Sequence, residues 1–71
     1  MKEEIYKALS LKYKAKQQEA KVNLNILFEM QVGVADHPDV VGTVDGLLKE
    51  YAEATELLSI LKGDFYEFTK N

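Results

Sequence analysis

The chain has 71 residues and a mass of 8.1 kDa, so residues 1–71 are expected to form a single domain that is too small for a deep catalytic cleft, and no enzyme activity is expected. Its 46% hydrophobic and 30% charged residues are typical of a folded protein, and its 0 Cys exclude disulfides, thiolate zinc sites and cysteine nucleophiles. The net charge of -3 argues against a general affinity for nucleic acid or anionic membranes, and self-association is the remaining way to stabilise so small a core.

Neither membrane insertion nor export is expected. The longest uncharged run, residues 22–28, is far shorter than the ~20 residues that span a bilayer. Glu3 and Glu4 stand where a signal peptide carries its basic region. An intracellular location is therefore expected.

The first predicted element is a helix over residues 2–32, a range that contains neither Pro nor Gly. Helical spacing places one apolar stripe on Ile5, Leu9, Tyr13, Ala20, Leu24, Leu27 and Phe28. A second apolar face collects Ala8, Leu11, Ala15, Val22, Ile26 and Met30. One partner helix cannot cover both faces, so the sequence predicts an interface at Leu11, Ala15, Val22, Ile26 and Met30.

Residues 22–34 also allow a different interpretation, because apolar and mostly polar residues alternate there with the period of a half-buried strand. Such a strand has no clear partner in the chain and would have to pair with its own copy. A strand-swapped dimer is therefore an alternative to the helical prediction.

A turn is predicted after the first helix, at Gly33 to Asp36. Asp36 or His37 is expected to cap a second helix over 37–62, with Pro38 in its first turn and Asp39 near its free amides. Its heptad core positions are Val40, Val44, Leu47, Tyr51, Ala54, Leu58, Leu61, Phe65 and Phe68. A break at Gly63 and a short C-terminal helical turn over 64–69 complete the prediction.

Folding the helices back on each other pairs residues whose numbers sum to about 70, which sets Ile5 near Phe65 and Leu9 near Leu61. The first 21 residues hold six Lys against three Glu, and the rest hold three Lys against nine acidic residues. Four ion pairs are therefore predicted across the hairpin: Lys7 with Asp64, Lys14 with Glu56, Lys16 with Glu53, and Lys21 with Glu50. The predicted fold is an all-α antiparallel two-helix hairpin that dimerises into a four-helix bundle.

Gly42 and Gly46 lie four residues apart in the second helix, where each Gly costs ~1 kcal/mol relative to Ala. Close helix packing would explain them, either by seating Phe28 and Leu24 within the hairpin or by contact with another subunit. His37 between Asp36 and Asp39 offers too few ligands for a metal, so it is interpreted as a capping residue. No catalytic residue, metal or cofactor is expected.

The Lys-rich first helix allows one further hypothesis, a nucleic-acid interface that uses Lys12, Lys14 and Lys16 together. These lysines point in several directions around the helix, and acidic residues of the second helix would neutralise several of them. Nucleic acid is therefore kept as an alternative partner, and a solvated surface is the preferred interpretation.

The turn Val32-Gly33-Val34-Ala35-Asp36-His37-Pro38-Asp39-Val40-Val41, with the run from Val44 to Lys62 after it, resembles a group of short uncharacterised proteins of contractile-tailed phages, including cyanobacterial phages. The resemblance covers about residues 20–62, and its most specific part is the His-Pro-Asp turn. The chain departs from the group at Gly42, at Gly46 and in its Lys-rich first helix. The resemblance implies a helical hairpin of phage origin without a known activity. It therefore predicts an accessory or virion-associated protein, in the host cytoplasm or the virion, that binds itself or a host or phage protein.

Overall fold

The computed structural model describes residues 1–30 and 39–69, and these residues contain helices and no strand. Helix α1 spans Lys2–Glu29 and helix α2 spans Val40–Asp64, followed by a 3₁₀ turn at Tyr66–Thr69. The prediction of an all-helical hairpin is confirmed. The strand alternative is wrong for residues 22–29, because they continue α1 without interruption.

Helix α1 ends at Glu29, before the predicted end at residue 32. Met30 has φ -66° and ψ 123°, an extended conformation, and its N–H donates to the Leu27 carbonyl at 3.3 Å. The last turn contains no basic residue and places the carboxylate of Glu29 at the negative end of the helix dipole. Residues 31–34 lie outside the described part of the chain.

Helix α2 begins at Val40, so its cap is Asp39 and not the predicted Asp36 or His37. The Asp39 carboxylate accepts a hydrogen bond from the Gly42 N–H at 3.0 Å, and the Asp39 carbonyl accepts from the Thr43 N–H and hydroxyl at 3.1 and 3.0 Å. The bond from Gly42 satisfies an amide that the first turn leaves without a helical partner, and the bond from the Thr43 N–H is the first regular bond of the helix. Gly33, Asp36, His37 and Pro38 lie outside the described residues.

The predicted break at Gly63 is wrong, because α2 runs through Gly63 to Asp64. Gly63 does not adopt the left-handed conformation that favours glycine at a helix end. The chain leaves the helix at Phe65, whose N–H still donates to the Leu61 carbonyl at 3.1 Å. The rings of Phe65 and Phe68 then lie 6.0 Å apart, so the 3₁₀ turn over 66–69 extends the apolar face of α2 beyond its end.

The two helices pack in the predicted antiparallel register. Ile5 and Leu9 line one cleft with Phe65 and Leu61, and at mid-length the Gln17 amide donates to the Thr55 hydroxyl at 2.8 Å. The sequence analysis did not identify that hydrogen bond. The buried core consists of Ala20 and Leu24 of α1 with Ala54, Leu58 and Leu61 of α2. Alanine at two levels lets the helices approach closely while leucines fill the others.

The four predicted ion pairs across the hairpin do not form. Within the described residues, each ion pair that forms joins two neighbours along the same helix. The N-terminal amine of Met1 pairs with Glu4 at 3.4 Å at the start of α1, and Lys49 pairs with Asp45 at 3.1 Å in α2. The side chains of the predicted pairs are solvent-exposed. Water solvates such charges almost as well as a partner does, and holding two long side chains together costs entropy, so register depends on apolar packing.

The result is a rod of 54 × 15 × 14 Å with a radius of gyration of 16.1 Å. A globular domain of this length has a radius of gyration of about 11 Å. Each helix therefore has one side in contact with its partner and a long opposite side in contact with solvent.

Candidate functional site

The main candidate surface is an apolar stripe on the solvent side of α1. It consists of Ala8, Leu11, Ala15, Val22 and Ile26, and is called the outer stripe below. All five are exposed, with exposed fractions of 60% for Leu11, 45% for Val22 and 55% for Ile26. The buried residues Ala20 and Leu24 lie on the opposite side of the helix, which faces α2. The hairpin therefore leaves this second apolar face of α1 uncovered.

Polar residues interrupt and border the outer stripe. Gln18 falls within it, at the level between Ala15 and Val22. Along one edge Lys7, Lys14 and Lys21 follow at seven-residue intervals, and along the other edge lie Lys12 and Glu19. The stripe is thus an apolar seam with charged borders, the pattern of a helix that packs against another helix in water.

Met30 is not part of this face, although the sequence analysis placed it there. It lies beyond the last helical residue, has extended backbone and is partly buried. Phe28 also departs from expectation, because it is 69% exposed and does not join the core stripe. Val41 and Leu48 are exposed apolar residues of α2 that the heptad assignment left unmarked. Their seven-residue spacing places them on one edge of α2, which is the signal that could have identified them.

A second surface is an apolar cleft at the end of the hairpin where α1 begins and α2 ends. It has a volume of about 240 Å³ and is lined by Lys2, Ile5, Tyr6, Leu9, Leu61, Phe65 and Phe68. The Lys2 amine lies 5.3 Å from the centre of the Phe68 ring, within the range of a cation–π contact. Ile5 is 53% exposed, so the cleft is open on that side.

The lysines of α1 do not converge on one surface. Lys12 and Lys16 line a groove between the helices together with Glu19, Glu50 and Glu53. Lys14 lines a different groove, with Lys7 and Glu3. A nucleic-acid interface built on Lys12, Lys14 and Lys16 together therefore lacks a common face.

The structure does not show the close helix packing expected at Gly42 and Gly46. A methyl group at Gly46 would have no neighbouring atom within 4 Å. At Gly42 a methyl group would lie 2.6 Å from Oδ1 of Asp39, so the nearest group is the carboxylate that caps α2. Gly46 therefore has no close neighbour within the chain, and the Gly42 position is tied to the cap.

The described ranges, 1–30 and 39–69, hold no group of three or more His, Cys, Asp or Glu side chains arranged for a metal ion. Asp36 and His37 lie outside those ranges. In the same residues, neither helix has the length and apolar character needed to cross a membrane.

The comparisons with known proteins identify no relative. No family model, curated protein or solved structure matches the chain.

Proposed function

We propose that this protein acts through protein–protein contacts, and that two copies of the chain associate through the outer stripe of α1. The observation that carries the proposal is the exposure of Leu11, Val22 and Ile26 on one face of a helix whose opposite face is already buried. Monomeric proteins rarely leave large apolar side chains aligned along one face in water.

The surface area of the chain supports the same proposal. Its accessible surface is 5684 Å², whereas a folded monomer of 8.1 kDa has about 4,500 Å². The surplus of about 1,200 Å² exceeds the ~800 Å² that each partner contributes to a standard protein interface. Pairing two copies would give four helices and would bring the exposed area per chain back into the ordinary range.

The biological setting is part of the proposal. The turn around His37 and Pro38 resembles that of the phage proteins described above, so we place the chain among small accessory or virion-associated proteins of contractile-tailed phages. There it would act in the infected host cell or in the virion, where the assembled form could present its remaining surfaces to a phage or host protein. Nucleic-acid binding has less support, because the grooves separate Lys12 and Lys16 from Lys14.

The proposal is tested by placing a charge in the outer stripe. Val22→Glu puts a carboxylate within the seam, and burial of an unpaired charge is strongly unfavourable. We expect gel filtration with light scattering to show the wild type above 8.1 kDa and the variant at 8.1 kDa. Circular dichroism should report unchanged helicity for the variant, because Val22 does not contribute to the buried core.

Ser59→Glu is the matched control, since it adds the same charge at an exposed position of α2 outside the stripe. It should assemble like the wild type. A wild type that elutes as a monomer, or a Val22→Glu variant that assembles normally, would contradict the proposed contact.

A further inference from the structure

The outer stripe has the heptad order of a coiled-coil seam. The inner positions are Ala8, Leu11, Ala15, Gln18, Val22 and Asn25, alternately three and four residues apart. One flanking position is held by Lys7, Lys14 and Lys21, and the other by Ile5, Lys12, Glu19 and Ile26. When two such helices pack together, the heptad positions determine which residues meet, and the contacts differ between parallel and antiparallel packing.

We propose that the partner on this stripe is α1 of a second copy, packed antiparallel across a two-fold axis that lies between Ala15 and Gln18. This inference rests on the self-association proposed above and specifies its geometry. In this register Leu11 of each copy packs on Val22 of the other, and Ala15 packs on Gln18. The isologous contact uses the same surface twice, as two-fold dimers do.

The edge that carries Ile5, Lys12, Glu19 and Ile26 selects the antiparallel direction. In an antiparallel pair this edge of one chain lies beside the same edge of the other chain. Lys12 then lies beside Glu19 of the other chain, and Ile5 beside Ile26, and the two-fold axis repeats both contacts. Ile5 and Ile26 are 53% and 55% exposed in the hairpin, so each would cover the other. A parallel pair would instead place Ile26 beside Lys21, and its exposed apolar surface would stay unmatched.

The opposite edge opposes the assembly. There the antiparallel register places Lys14 beside Lys21 of the second copy, twice, and Lys7 beside Phe28. A parallel pair would bring Lys14 to Glu19 and Lys7 to Lys12. Charge alone therefore gives each direction one attractive and one repulsive contact, and the matched isoleucines favour antiparallel packing.

The position of the stripe also determines the arrangement of the four helices. Because it lies on the side of α1 opposite the buried Ala20 and Leu24, the second copy cannot touch both helices of the hairpin equally. The two α1 helices form the central seam, and each α2 lies outside. This layered arrangement differs from a closed square bundle, in which every helix packs against two neighbouring helices.

Disulfide trapping tests the direction and the register directly, because the chain has 0 Cys of its own. Leu11→Cys and Val22→Cys are purified separately and oxidised alone and as a mixture. In the proposed register the two Leu11 positions are offset by about 16 Å along the axis, too far for a disulfide, whereas Leu11 lies opposite Val22. The mixture should form the crosslinked dimer, and neither variant alone should do so.

Two charge variants provide an independent test with equal change in net charge. Lys12→Glu replaces the attraction to Glu19 by repulsion, and should weaken the dimer about threefold to tenfold by sedimentation. Lys14→Glu replaces the repulsion by Lys21 with attraction, and should tighten it by a similar factor. Parallel packing reverses both signs.

The outcomes separate this inference from the proposal on which it rests. Crosslinking of Leu11→Cys with itself, reversed effects of the charge variants, or a dimer without the mixed crosslink would overturn the antiparallel seam and leave self-association standing. A wild type that stays monomeric in the same sedimentation runs would overturn both.

Discussion

At the scale of single residues, the start of α2 shows how one side chain constrains another. Asp39 caps the helix by accepting from the Gly42 N–H, and a methyl group at Gly42 would lie 2.7 Å from the Asp39 Cγ. A side chain at position 42 would therefore require the Asp39 carboxylate to shift. Gly46, one turn further on, has open space where a methyl group would be. The two glycines look equivalent in the sequence and are not equivalent in the structure.

Alanine substitutions should distinguish these glycines. Gly46→Ala should raise the free energy of unfolding by about 0.5–1 kcal/mol, because Ala loses less backbone entropy in a helix and meets no neighbour here. Gly42→Ala should raise the free energy of unfolding by less than Gly46→Ala or lower it, because the Asp39 carboxylate must move and a cap of this kind contributes ~1 kcal/mol. Urea unfolding followed by circular dichroism measures both.

The background variant Asp39→Ala serves as the control for this pair. Without the carboxylate, Gly42→Ala should raise the free energy of unfolding by as much as Gly46→Ala does. Equal gains at both positions in the presence of Asp39 would show that the cap does not constrain Gly42.

At the scale of elements, the sequence predicted what depends on periodicity. The heptad pattern of α2 identified Ala54, Leu58 and Leu61 as core positions, and all three are buried. Periodicity works here because the geometry of a helix fixes which residues share a face, whatever surrounds it. The same reasoning located Leu11, Val22 and Ile26 on a second face of α1, which the structure leaves exposed.

Features that depend on single local contacts could not be predicted in this way. The observed cap is Asp39 and not Asp36 or His37, and α2 ends after Gly63. Each helix boundary depends on which side chain contacts the terminal turn, as Asp39 does at the start of α2. The predicted ion pairs failed for a different reason. Opposite charges at matching levels remain separately solvated when no burial holds them together.

The core of the hairpin is small, so one of its leucines should dominate the stability of both helices. Leu58→Ala removes a side chain that is buried between them, and such changes cost about 2–5 kcal/mol. A chain of this length has only ~3–5 kcal/mol in total, so the variant should be largely unfolded by circular dichroism at room temperature.

Ile60→Ala is the matched comparison, since Ile60 is an exposed residue of the same helix two positions later. It should retain its helical signal, with a loss of stability below about 1 kcal/mol. If both variants unfold alike, or neither does, the hairpin contact is not the source of the helical stability.

At the scale of the whole molecule, the length and shape of the hairpin support the proposed assembly. Two helices of 28 and 25 residues can bury only one side each, and the resulting rod exposes more surface than a globular chain of equal mass. The second apolar face of α1 is a part of that surface whose burial would stabilise the chain. Covering it with a second copy uses only surfaces that the chain already has.

Sedimentation equilibrium of the wild-type chain across the micromolar range tests the central claim most directly, because it measures mass without a surface or a label. We predict a mass that rises with concentration from 8.1 kDa towards twice that value. A mass that stays at 8.1 kDa over the whole range would contradict the claim that the outer stripe is covered by a second copy.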